Sequence, residues 1–191
     1  MNQREFTDIE LVIKSKTGDT AAFRDLVNTY KDVSLTLACS ILKDTSLAED
    51  AVQTAFIKVF EKLKTFRQDS KFSTWLYRIV INTAYNLQKQ QKIHMQIDVL
   101  SDSIFEANEK SETRVLTEED QKKYINLALE RIKSDEALIL RLFYLYDHSI
   151  LEIKKITGFS KSKIKVDLHR GRKNMERQLQ KLLGNEITQL L

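Results

Sequence analysis

Apolar residues recur at steps of three and four along most of this chain, the spacing of one buried stripe on an α-helix. One stripe runs through Ala22, Phe23, Leu26, Tyr30, Val33 and Leu37, with Asp19 placed to cap its helix. A second runs through Ala51, Val52, Ala55, Phe56, Val59, Phe60 and Leu63, opened by an S-x-x-E capping box of Ser46 and Glu49. After the polar turn "RQDSK", a fourth helix of this block, from about Phe72 to Lys92, turns Phe72, Leu76, Ile79, Val80, Thr83 and Leu87 to the same core. The pattern predicts a compact four-helix bundle ending near residue 93.

Apolar positions then thin out. Between Asp98 and Asp120 eight acids oppose only Lys110 and Arg114, a net charge of −6. Such a segment buries too little to offset its ordering entropy, so 94–116 reads as a flexible linker. The functional alternative is an acidic strand that mimics nucleic acid inside a basic channel. Helical spacing returns at Thr117, with Tyr124, Leu127, Ala128 and Ile132 on one helix. Ser134 is placed to cap another, containing Leu138, Ile139, Leu142, Phe143 and Tyr146. Ser149 and Glu152 form a capping box for "ILEIKKIT"; Gly158 suits its end and Ser160 the start of the last helix. Two helices joined by a Gly-Phe-Ser turn match a helix-turn-helix. The predicted fold is all-α: a four-helix domain over 1–93, the linker, and a second four-helix domain over 117–191.

Composition agrees with helices and short polar connections, since the 191 residues include no proline and four glycines. Cys39 is the single cysteine, which excludes an intramolecular disulfide and reads as a small buried hydrophobe. No stretch approaches the roughly 20 apolar residues that span a bilayer, so membrane insertion is not expected and the chain reads as cytoplasmic. His94, His148 and His169 lack metal-ligand spacing, and no P-loop, G-x-S-x-G or H-E-x-x-H occurs. No enzyme activity, cofactor or metal is expected.

Charge changes the picture more. Lys161 to Lys173 holds six cations against Asp167, a net +5, whereas the whole chain sums to +4. On a helix, Ile164, Leu168, Gly171, Met175, Leu179 and Leu182 form the buried seam. Ser162, Lys165, Val166, His169, Arg170, Lys173 and Arg177 fan across the other side. Lys161 and Lys163 occupy the first turn, where the helix dipole disfavours cations by about 0.3–1 kcal/mol. A DNA phosphate there offsets that cost and accepts free backbone N–H groups. The helix from Ser160 is therefore a candidate major-groove reader. A second polar face lies on the Phe72–Lys92 helix, where Arg78, Asn82, Tyr85, Lys89 and Lys92 share one side and Asn86 adjoins them. Cations, amides and an aromatic are what a tracked backbone and stacked bases require. Trp75, at the seam edge, reads as a packing residue.

The segments "GDTAAFRDLVNTY", "LAEDAVQTAFIKVF", "FSTWLYRIVINTAYNL" and "LHRGRKNMERQL" together resemble, in order and separation, a bacterial sigma-70 family factor of the extracytoplasmic-function (ECF) group. The resemblance spans residues 8–93 and 117–183. It implies a region 2 domain followed by a region 4 domain, and a promoter-specificity subunit that recruits core RNA polymerase. By position it assigns Glu49, Asp50, Gln53 and Ile57 to the β′ clamp helices. Arg78, Asn82, Tyr85, Asn86 and Lys89 fall to the melted −10 element. The −35 element takes Lys161, Ser162, Lys163, Lys165, Val166, His169, Arg170 and Lys173, with this domain held near the β flap. It also implies an anti-sigma factor. Asp167 stands where the family often has a cation; it either accepts from cytosine N4 or pairs with a neighbouring Lys or Arg. The rival reading is a stand-alone helix-turn-helix regulator whose first block senses a ligand or dimerises.

Overall fold

The computed structural model describes the backbone of residues 3–95 and 117–184. The acidic segment expected as a linker, 94–116, lies almost wholly outside the described residues. Every described element is helical. The first block comprises α1 (Gln3–Lys16), α2 (Thr20–Leu42), α3 (Thr45–Lys62), a 3₁₀ turn (Leu63–Thr65) and α4 (Phe72–Met95). The second comprises α5 (Glu118–Glu130), α6 (Ser134–Leu140), a π-helical turn (Arg141–Leu145), α7 (Ile150–Thr157) and α8 (Lys161–Leu183).

Local chemistry sets the boundaries. Asp19 accepts from the backbone N–H groups of Ala21 and Ala22 and starts α2. The expected Ser46–Glu49 box does not form. Asp44 accepts from the Leu47 N–H at 3.0 Å, so α3 begins earlier and Ser46 falls inside its first turn. Ser134 is likewise the first residue of α6 rather than its cap. The Ser149–Glu152 box forms in full, Gly158 takes the left-handed conformation at φ 76°, and Ser160 accepts from the Lys163 N–H.

α2, α3 and α4 wrap the first core around Leu26, Leu37, Ile41, Leu76 and Ile81, all fully buried. The second core centres on Leu138, Ile139, Leu142, Ile153, Ile156 and Ile164. The blocks then pack together, α4 against α7 and α2 against α6, so their buried side chains form one contiguous apolar core. The Tyr77 ring stands 6.5 Å from Tyr146 and 5.7 Å from His148 across this seam. Lys43 Nζ also donates across it to the Glu130 carbonyl at 3.0 Å. This seam fixes where the candidate surfaces end up.

Candidate nucleic-acid and polymerase interfaces

α8 follows the wheel. Ile164, Leu168 and Gly171 are buried, while Lys161, Ser162, Lys165, Val166, His169, Arg170 and Lys173 are exposed. Gly171 lets α8 approach α6 closely: a Cβ there would sit 3.1 Å from Leu140 Cδ1.

Lys163 is the exception. Its ammonium donates to Asp135 at 2.8 Å and to Asp167 at 2.6 Å, and lies 4.4 Å from the centre of the Phe159 ring. Burial alone would lower its pKa, but the hydrogen bonds to the two carboxylates outweigh that and raise it. Asp167 is only 8% exposed, so it pairs with Lys163 rather than projecting outward toward a base. The carboxylates thus compensate one of the two first-turn cations. Lys161 keeps its charge at the surface.

On α4, Arg78, Asn82, Asn86 and Lys89 are exposed in a single row. Tyr85 is turned to the seam. Its hydroxyl donates to Asp135 Oδ1 at 2.7 Å and its ring lies 6.3 Å from Phe159. Burial, reinforced by that carboxylate, pushes the phenol far above its ordinary value. Trp75 stacks on Phe66 with centroids 4.9 Å apart, which is a packing role.

On α3, Glu49, Asp50, Gln53 and Ile57 are all exposed, Ile57 by 55%. Phe60, expected in the seam, is also 55% exposed. It meets Phe23 edge-on at 5.0 Å, along the lip of a groove between α2 and α3 rather than beneath it. That groove has a volume of about 550 Å³, a floor of Val27, Leu35, Val52 and Phe56, and a rim of Lys31, Asp32, Glu49 and Gln53. A second apolar groove, about 460 Å³, opens between α5, the π-helical turn and the C-terminal half of α8, lined by Ile125, Leu129, Tyr144, Leu145, Met175 and Leu179. Neither groove was visible as such in the sequence. The signal in hindsight is apolar residues left over at the edge of each stripe, such as Phe60 and Leu145.

Cys39 is partly buried, and burial pushes its thiol upward. Among the described residues no cluster of three His, Cys, Asp or Glu side chains could hold a metal, and no helix is long and apolar enough to cross a membrane.

Residues 14–93 match the Sigma-70 region 2 family model. The ECF RNA polymerase sigma factor SigW of Bacillus subtilis (strain 168) is 28% identical over 187 residues, covering 91% of this chain and all of that protein. The ECF RNA polymerase sigma-E factor of Escherichia coli (strain K12) is also 28% identical, covering 94% of this chain and 97% of its own. The RNA polymerase sigma-H factor of Pseudomonas aeruginosa is 47% identical over 79 residues, 41% of each chain. Among solved structures, the sigma factor RpoE in complex with the anti-sigma factor NepR from Bartonella quintana superposes with a TM-score of 0.65 at 21% identity, covering 83% of this chain and 96% of that one. CnrH in complex with the cytosolic domain of CnrY gives 0.62 at 18%, covering 91% and 97%. The fold is that of the solved sigma factor RpoE, and the full-length relatives that the chain resembles are ECF RNA polymerase sigma factors. The resemblance to the ECF group of the sigma-70 family is thus carried by the region 2 match in the first block and by these full-length ECF relatives.

Proposed function

We propose that this chain directs core RNA polymerase to a defined set of promoters and assists melting at the −10 element. The observation that carries this reading is the placement of two cation-bearing faces, one per block, on the outside of the molecule. Lys161, Ser162, Lys165, Val166, His169, Arg170 and Lys173 read the −35 element from the major groove, where Arg and Lys suit guanine edges and phosphates, and Lys163 joins them once it leaves its carboxylates. Arg78, Asn82, Asn86 and Lys89 follow the −10 strand, joined by Tyr85 once it is freed from the seam.

Polymerase binds through the outer side of α3. Glu49, Asp50 and Gln53 present acceptors and Ile57 an apolar anchor to the β′ clamp helices, and the second block rests against the β flap. The anti-sigma factor NepR accompanies RpoE in its solved complex, and a protein of that kind is the expected inhibitor here. The site of action is the cytoplasm, where polymerase and promoter meet.

Run-off transcription with purified chain, core polymerase and fragments of the source genome tests the reading. Initiation from a discrete set of start sites is expected. Tight, sequence-specific promoter binding without polymerase, and no stimulated initiation with it, would instead favour a stand-alone regulator.

A further inference from the structure

We propose that Asp135 is an autoinhibitory latch: one carboxylate that holds a −10 residue and a −35 residue together and keeps the isolated chain from engaging DNA. The proposal rests on the assignment of Tyr85 and Lys163 to promoter contact, and goes beyond it.

Asp135 lies in the first turn of α6, where an acid already suits the helix dipole. That role needs no partner. Yet its two oxygens are both taken, Oδ1 by the Tyr85 hydroxyl of the first block at 2.7 Å and Oδ2 by the Lys163 ammonium of the reader helix at 2.8 Å. For Lys163 the carboxylate sits where a phosphate oxygen would. Phe159 lies against both residues, its ring 6.3 Å from that of Tyr85 and 4.4 Å from Lys163 Nζ.

Geometry makes this arrangement exclusive with promoter binding. Elements centred about 10 and 35 base pairs upstream lie roughly 85 Å apart along duplex DNA, at about 3.4 Å per pair. Two side chains sharing one carboxylate cannot reach both. Of these two contacts only the Tyr85–Asp135 hydrogen bond crosses between the blocks; the Lys163–Asp135 pair, within the second block, is more than one-third exposed on each side and so weak enough for a DNA phosphate to displace. A closed fraction lowers apparent DNA affinity in proportion to its population, however dominant it is.

The test uses the full chain with Asp135→Asn, which keeps size and helix position, and Asp135→Ala. Affinity for a mixed-sequence DNA duplex is measured without polymerase, alongside hydrogen exchange of the α7 amides without DNA. Both variants are expected to bind about three- to fivefold more tightly than wild type and to exchange faster in α7. Tighter binding with unchanged exchange would reflect only the removal of a negative charge and would overturn the latch, as would unchanged or weaker binding. Wild-type run-off transcription reads the promoter assignment separately. Its failure beside a positive exchange result would sink that assignment and leave the seam contact standing.

Discussion

Val166 is an apolar, β-branched side chain, 41% exposed, on a helix face otherwise made of cations, a hydroxyl and an imidazole. In a major groove such a side chain matches the thymine methyl group. Val166→Ala is expected to cost about 0.8 kcal/mol, roughly fourfold in promoter affinity. Replacing a contacted thymine by uracil should cost wild type the same and Val166→Ala nothing, which filter binding on single-substituted duplexes checks. The exposure of Val166 was legible from a helical wheel, and pairing with a neighbouring cation was one of the two readings of Asp167, but the enclosure of Lys163 was not legible. Lys163 meets Asp135 where α8 packs on α6 inside the second block, and only the docking of the halves brings Tyr85 to the same carboxylate. A wheel gives an angle, not a neighbour.

At the scale of elements, the α6–α8 contact is the tightest joint of the second block. A Cβ on Gly171 would lie 3.1 Å from Leu140 Cδ1 and 3.3 Å from Glu136 Cβ. Gly171→Val therefore overpacks the joint and should destabilise by about 1–3 kcal/mol. Thermal unfolding would register this as a drop of roughly 3–10 °C in Tm. Elements whose ends are fixed by their own residues were legible: the Asp19 cap, the Ser149–Glu152 box, Gly158 and Ser160 all stand as read. The α3 start was misplaced because two caps compete within three residues, and the earlier acceptor, Asp44, already takes the Leu47 N–H. The π-helical turn left no trace in the apolar spacing. It closes with the Tyr146 N–H on the Arg141 carbonyl, and Arg141, only 7% exposed, donates through Nη1 to Asn126 Oδ1 at 2.9 Å while its buried Nε finds no partner among the described residues. Phe60 was misread since periodicity reports which residues share a side, not where the neighbouring helix stops covering it.

For the whole molecule, the all-helical architecture and the two-block order were readable from stripes and the acidic interval, while the packing of block on block was not. Few residues at the seam stand out by type; Tyr77, Tyr146 and His148 look like ordinary core positions. His148 is only 5% exposed, its Nε2 has no hydrogen-bond partner among the described residues, and burial holds its pKa below 6.5. A histidine depressed in the folded state is protonated more readily when unfolded, so stability falls as pH drops through and below that value. Tm should decline from neutral toward mildly acidic pH, and His148→Gln should flatten the curve in that window. A wild-type curve with the same slope as the variant's would show that the imidazole does not titrate on unfolding.

The two apolar grooves are each walled by a single block, one by α2 and α3, the other by α5 and α8 with the π-helical turn. Neither wall includes Tyr85, Asp135 or Lys163. Both grooves thus lie on the flanks of the molecule, away from the contact between the blocks. Whatever covers either groove can therefore do so without first parting the two blocks.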